Sequence, residues 1–324
     1  MLKLKLRLPT ILGAFALAAA SVVGGQAKAE FPDNTIHLIL PWKAGGGTDT
    51  IVRGYQQAFE KAAGVTVVID NINGAKSVTG TLKAAKAKGD GYTVLFNGSL
   101  DVTSNLAMKP LPYKVSSFKA VGGVYTTPTW FITNTKRPYK DFQDFLDAAK
   151  ANPGQLSMGT AGSTHTLLSH ALKGATGLNF KIVPFSGGAD LKKAMIGNEV
   201  DIGQFHSPVM INEIKAGIIR PLAATAPMDG INYGPAQKLK TLKDYGIDLP
   251  PVQITRGMMV PKSTPDAVVA KLEAIAKTAA MDPSFAKFGD TFGFKPVWVS
   301  AKDYGKQLQD EVELLTDIKN KYIK

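Results

Sequence analysis

The chain has 324 residues, of which 38 are basic and 26 acidic, for a formal charge of +12. It contains no cysteine, which excludes a disulfide framework, a thiolate metal site and a cysteine nucleophile. The basic residues are spread along helical stretches such as Lys83, Lys86 and Lys88, with no run of basic and aromatic residues interleaved. Solvated helix faces and a mild bias toward anionic ligands therefore account for the charge, and no nucleic-acid partner is expected.

In chain order, Lys3, Lys5 and Arg7 precede an apolar run from Leu8 to Val23, and Ala27-Lys28-Ala29 offers a small-x-small cleavage site. This pattern predicts a signal peptide over residues 1–29, cleaved after Ala29, and export of the remainder. Without Lys3, Lys5, Arg7 and Lys28, 34 basic residues face 26 acidic ones. About 295 residues remain, a length that favours two lobes over one core. No run after Val23 is apolar enough to span a bilayer.

Strand-like runs at Thr35–Leu40, Thr66–Asp70 and Tyr92–Phe96 recur at about the 30-residue length of a βαβ unit. Between them, Ile51, Val52, Tyr55, Phe59 and Ala62 share one helical face, and Val78, Leu82 and Ala85 another. A second series follows: strands at Trp130–Thr133, Gln155–Met158, Lys181–Pro184, Val200–Ile202 and Pro221–Thr225, alternating with helices at Asp141–Ala151, Thr166–Ala175, Ala189–Ile196 and Pro208–Lys215. After turn-rich Ala226–Pro251, a strand at Met258–Val260, a long helix from Pro265 and a final helix aligning Tyr304, Leu308, Val312, Leu315 and Ile318 return to the first series. The expected architecture is α/β and two-lobed, each lobe a mostly parallel sheet flanked by helices. Lobe I comprises residues 30–126 and 253–324 and lobe II residues 127–252, with hinges at Tyr125–Trp130 and Gln253–Gly257. One continuous domain with an inserted half fits the same pattern.

Four strand-to-helix connections are rich in glycine and hydroxyls. The first, Pro41 to Asp49, brings Trp42, Ala44, Gly45, Gly46, Gly47, Thr48 and Asp49 to the start of a helix. There, free N–H groups and the helix dipole favour an anion by up to about 2 kcal/mol. It has neither P-loop nor dinucleotide-fingerprint spacing. A plain turn with Thr48 or Asp49 as N-cap would look the same. Asn97 and Ser99 flank Gly98 in a polar loop after the third strand. In the second series, Thr160, Gly162, Ser163, Thr164 and His165 form one such connection, and Phe185, Ser186 and Gly187 form another. Loops of this kind on both lobes suit a small organic acid gripped from two sides.

His165 and His170 are five apart, without the spacing or the intervening glutamate of a helical zinc site, and no metal or cofactor is expected. His37 and His170 read as packed or surface residues, whereas His165 and His206 sit near strand ends where they can line a cleft. No nucleophile elbow or acid-base carboxylate pair is marked out, so no catalytic residue is assigned.

The stretch Ile39 to Asp49 is similar to the Pro-Phe-x-x-Gly-Gly-x-x-Asp loop of the periplasmic solute receptors of tripartite tricarboxylate transporters, the TctC or Bug family. Gly89-Asp90-Gly91-Tyr92-Thr93, Gly159-Thr160-Ala161-Gly162, Val183 to Gly187, Glu199-Val200-Asp201 and Ile214 to Ala223 extend the resemblance along the whole sequence after the leader. Trp42 stands where phenylalanine is usual, Ala44 where proline is common, and Phe185-Ser186 where a Tyr-Lys pair is often found. The resemblance implies a periplasmic binding protein of the Venus-flytrap, type II-like kind, monomeric and without enzymatic activity. It would hold an organic acid between its lobes, through Gly45–Asp49 on one side and Thr160–His165 and Phe185–Gly187 on the other, for delivery to membrane transporter subunits. Two alternatives stand beside it: an exported enzyme acting on an anionic metabolite with His165 or His206 as base, and a ligand-presenting sensor for a membrane kinase.

Overall fold

The computed structural model describes residues 30–206, 210–227, 239–292 and 294–323; the expected signal peptide, Pro208 and residues 228–238 lie outside them. Strand β1 (Ile36–Leu40) is mostly apolar and buried, and β2 (Val67–Asn71) and β3 (Thr93–Gly98) pair with it in parallel on either side. The helix between β1 and β2, α1 (Gly47–Ala63), buries the stripe of Ile51, Val52, Tyr55, Ala58 and Phe59 and stops at Gly64, whose φ of 70° is the left-handed cap. Helix α2 (Val78–Ala85) connects β2 to β3, and β3 runs straight into α3 (Ser99–Met108). The polar loop expected at Asn97–Ser99 is therefore the junction of a strand and a helix.

Strand β4 (Phe118–Asn134) is long enough to serve two partners: residues 118–128 run antiparallel to the returning strand, and residues 129–134 pair within the second series. That series comprises α4 (Phe142–Ala151), β5 (Ser157–Ala161), α5 (Gly162–Thr176), β6 (Lys181–Phe185), α6 (Gly188–Ile196), β7 (Ile202–His206), α7 (Ile211–Lys215) and β8 (Ile219–Ala224). The chain returns through β9 (Gln253–Pro261) and closes with α8 (Asp266–Ala280), α9 (Pro283–Phe292) and α10 (Ala301–Tyr322). The strand order is β2-β1-β3-β9-β4-β7-β5-β6, with β8 also on β4. The βα units give parallel pairs, as expected. A chain that crosses on β4 and comes back on its neighbour β9 must pair antiparallel, and the contacts of β3 with β9 and of β4 with β7 and β8 share that sense.

Aromatic side chains fill both ends of the sheet: Tyr55, Phe59, Phe96, Phe285 and Phe294 at one end, Phe131, Phe142, Phe145 and Phe180 at the other. A further apolar seam joins the two series, with Leu100 of α3, Leu167, Leu168 and Ala171 of α5, Ile254 of β9, and Leu315 and Ile318 of α10 all buried together. Residues Phe31–Lys324 thus pack as one compact unit. Helix α10 departs from the sequence reading at one position: Glu311, not Val312, is buried beside Tyr304, Leu308, Leu315 and Ile318. Its carboxyl group accepts hydrogen bonds from Ser99 Oγ (2.7 Å), Thr103 Oγ1 (3.1 Å) and Gln307 Nε2 (2.8 Å), which fastens α10 to the start of α3.

Two expectations follow from this packing. A Cβ at Gly257, in the middle of β9, would lie 2.6 Å from the Gly122 carbonyl oxygen and 2.7 Å from the Tyr304 ring. Gly257→Ala should therefore cost about 2 kcal/mol of overpacking; an unchanged urea midpoint would refute the contact. Burial raises the pKa of Glu311 from its ordinary 4.5 to about 7, against the lowering by its three donors. The folded state then holds a proton that the unfolded chain releases, so this group's contribution is complete below pH 4.5 and is lost as pH rises through 7. The loss is on the order of 3 kcal/mol. Denaturation midpoints measured from pH 4.5 to 8 should fall more steeply for the wild type than for Glu311→Gln, and parallel curves would contradict the assignment.

Candidate functional site

The sequence at the carboxyl ends of β1 and β6 has the same design, a strand followed by glycines and then a helix. Both N-caps are glycines, Gly46 for α1 and Gly187 for α6, so no capping side chain closes either helix. The two helix starts face each other: a Cβ at Gly46 would lie 3.9 Å from the amide nitrogen of Ala189, and one at Gly188 would lie 3.9 Å from that of Gly47. The acids in their first turns are engaged elsewhere. Asp49 accepts from Gly45 N (2.9 Å), Arg53 Nε (2.9 Å) and Asn71 Nδ2 (3.0 Å). Asp190 takes Ser186 Oγ and Lys43 Nζ, the latter at 3.0 Å. Two positive dipole ends thus share a small space, an arrangement that a bound anion would relieve.

That space is a cavity of about 50 Å³, lined by Trp42, Lys43, Gly46, Gly47, Thr48, Asp101, Ala161, His165, Gly187, Gly188, Ala189, Phe205, His206 and Arg256. A single water needs roughly 10–15 Å³ by this measure, so the cavity suits the head group of a small acid. Trp42 forms one wall. Its Nε1 donates to Asn97 Oδ1 (2.9 Å), and its ring lies 3.2 Å from where a Cβ of Gly162 would be.

The polar floor comes from Arg256 of β9, His206 of β7, Asp101 of α3 and His165 of α5. Arg256 of β9 is 4% exposed and pairs with Asp101 of α3 (Nη1 to Oδ2, 3.3 Å). A Cβ at Gly98 would fall 2.0 Å from Arg256 Nη1 and 2.6 Å from Asp101 Oδ2, so the pair requires glycine there. Burial raises the Asp101 pKa despite the neighbouring guanidinium. Burial also lowers the His165 pKa to about 4, and it lowers that of His206 well below the ordinary value, with Arg256 adding to both. Both rings are therefore neutral at pH 7; their centroids are 4.3 Å apart. His165 Nδ1 lies 2.6 Å from the Ala161 carbonyl and His206 Nδ1 3.1 Å from Thr129 Oγ1. Among the described residues, His165 Nε2, His206 Nε2 and Arg256 Nε have no hydrogen-bond partner.

Of the residues expected to bind ligand, Trp42, Gly46, Gly47, Thr48, His165, Gly187 and His206 line this cavity. The others stand back from it. Ala44 and Gly45 are exposed, and Asp49 holds the turn. Asn97 anchors Trp42, and Ser99 bonds Glu311. Thr160 Oγ1 meets Thr166 Oγ1 (3.2 Å), and Gly162 lies against Trp42. Ser163 and Thr164 belong to the first turn of α5 and bond across to α3, through Asn105 Oδ1 (2.7 Å) and the Leu100 carbonyl (2.9 Å). Phe185 packs beside Gly159, and Ser186 reaches Lys43 Nζ (3.2 Å). Sequence reasoning did not assign Lys43, Ala161, Gly188 and Ala189, which adjoin expected residues, and it missed Asp101, Phe205 and Arg256. Arg256 carried a signal, being the lone charge in an apolar strand, whereas Asp101 was hidden by reading Asn97–Ser99 as a loop. Among the described residues, no group of three or more His, Asp or Glu side chains is placed to hold a metal ion, and no helix is long and apolar enough to cross a membrane.

Known proteins resemble this chain in sequence and in fold. A UPF0065 protein of Bordetella pertussis is 28% identical over 308 residues, 94% of each chain. A solved structure described as a periplasmic transporter is 29% identical with a TM-score of 0.82, covering 90% of this chain and 97% of that one. MatC of Rhodopseudomonas palustris, solved with bound malate, is 21% identical with a TM-score of 0.80 over 89% of this chain and 99% of that one. A second R. palustris protein, solved with adipate, is 22% identical with a TM-score of 0.82 over 90% and 98%. These likenesses bear out the α/β periplasmic-binding-protein fold. The TctC model, for the tripartite tricarboxylate transporter family receptor, matches residues 51–322, nearly everything beyond the first glycine-rich turn. By that match the chain belongs to the TctC family of tripartite tricarboxylate transporter receptors.

Proposed function

We propose that the protein is a periplasmic solute receptor that captures a small organic carboxylate between two lobes and delivers it to the membrane subunits of a tripartite tricarboxylate-type transporter. The observation that carries this reading is the pair of glycine-capped helix starts, α1 and α6, facing one cavity beside the buried Arg256. Each offers N–H groups and a positive dipole end to an anion, at up to about 2 kcal/mol apiece in partly buried geometry. The malate and adipate held by relatives of the same fold support a carboxylate as the guest. The leader, residues 1–29, would be removed after Ala29 on export, and the receptor would act as a monomer without transforming its ligand.

In this reading, lobe I is residues 30–126 with 253–324, lobe II is residues 127–252, and the paired segments of β4 and β9 are the hinge. Tyr125 to Pro128 lie opposite Arg256 to Gln253. Lys43, from the lobe I side, bonds Ser186 and Asp190 from the lobe II side. The pair is only partly buried, with Lys43 49% and Asp190 34% exposed. Such bridges contribute about 0–1 kcal/mol, so this one biases closure without fixing it.

Calorimetric titration with mono-, di- and tricarboxylates should give heat and one-to-one binding for at least one acid, recovered unchanged. Silence across the panel would sink the receptor reading. Lys43→Ala should weaken that binding by less than about tenfold, chiefly through faster release, and should flatten its dependence on salt. Stopped-flow dissociation rates equal to those of the wild type at low salt would show that the latch does not contribute.

A further inference from the structure

The orphaned ring nitrogen of His165 has a definite hydrogen-bonding sense. Its Nδ1 lies 2.6 Å from the backbone carbonyl of Ala161, a group that only accepts, so the ring proton is on Nδ1. Burial at 4% exposure and the Arg256 guanidinium both oppose a second proton. Nε2 is then a bare lone pair, unpartnered among the described residues, on a residue that lines the cavity. Every other polar group so far assigned to the carboxylate, namely the amides at the starts of α1 and α6 and Arg256, is a donor. A buried acceptor left without a donor carries a desolvation penalty that a suitable ligand removes.

We propose that His165 is a specificity-determining residue that accepts, at Nε2, a hydrogen bond from a hydroxyl or N–H borne by the ligand in addition to its carboxylate. The preferred guests are thus hydroxy or amino acids of small size, and plain fatty or dicarboxylic acids are disfavoured. This rests on the carboxylate-receptor reading and adds to it a rule for the rest of the ligand. The energetic basis is an asymmetry: a site built to pair with a polar hydrogen rejects the analogue that lacks it, because its own group stays unpaired.

The test uses the mature protein and three matched pairs of acids differing in one hydroxyl: lactate and propionate, malate and succinate, 2-hydroxyglutarate and glutarate. The O-methyl ether of the tightest hydroxy acid serves as a control with no donor. The hydroxy member should bind about tenfold or more tightly than its partner, and methylation should abolish the advantage. His165→Phe keeps an aromatic ring against His206 while deleting the acceptor, and should bring the ratio close to one. If acids bind but the wild type treats the members of each pair alike, the proposal is overturned and the carboxylate reading stands. If a folded His165→Phe protein keeps the full discrimination, another group reads the hydroxyl and the proposal also falls. If no acid of any pair binds, the hydroxyl rule falls, and the receptor reading is decided separately by the wider carboxylate panel. Should the variant not fold, the wild-type ratios and the ether control decide the matter alone.

Discussion

Two helices that begin at the same small space, both capped by glycine, set the terms for everything around them. Their positive ends would normally be satisfied by a side chain of their own, typically Ser, Thr, Asn or Asp at the N-cap. Here that solution is withheld at Gly46 and Gly187, and the nearby acids Asp49 and Asp190 hold other donors. A Cβ at Gly46 would make only ordinary contact, 3.9 Å from the Ala189 amide nitrogen, so what glycine withholds there is a capping side chain and not room. The local cost in helix stability is what leaves backbone N–H groups available to a guest.

The charges behind the helix starts are balanced. Among the described residues, Arg256 is the one buried cation lining the cavity, and Asp101 partners it at 3.3 Å, so the guanidinium does not stand as an isolated charge in a low-dielectric wall. The two histidines are kept neutral by burial and by that same guanidinium. Attraction for an anion therefore falls largely to oriented dipoles, which need no counter-ion and no rearrangement. Discrimination falls to the neutral rings and to Trp42, which Asn97 holds in place.

Much of the fold was legible in the sequence because its helices and strands obey simple periods. The stripe of Ile51, Val52, Tyr55 and Phe59 and the strands at residues 36–40, 67–71 and 181–185 follow directly from spacing and β-branched content. Helix α3 was not legible: Ser99, Asp101, Thr103, Ser104 and Asn105 look like loop material, yet all are buried because partners from α5, α10 and β9 satisfy them. The same long-range satisfaction placed Glu311 where the apolar pattern expected Val312. At the cavity, the glycine turns announced themselves locally. Arg256 and Asp101 meet across 155 residues of sequence, a pairing no local pattern encodes.

The apolar seam of Leu100, Leu167, Leu168, Ala171, Ile254, Leu315 and Ile318 has a mechanical consequence. It ties α5 to α3 and α10, whereas α1 and α6 meet through glycines, one lysine bridge and the edge of a tryptophan. Parting the seam would bare hydrocarbon to water at about 25 cal/mol for every Å². Parting the glycine side wets polar backbone, a partly hydrated ion pair and the edge of Trp42, which is less hydrocarbon than the seam holds. Separation at the glycine side would therefore cost less than separation at the seam, so the weaker of the two contacts is the one that borders the cavity.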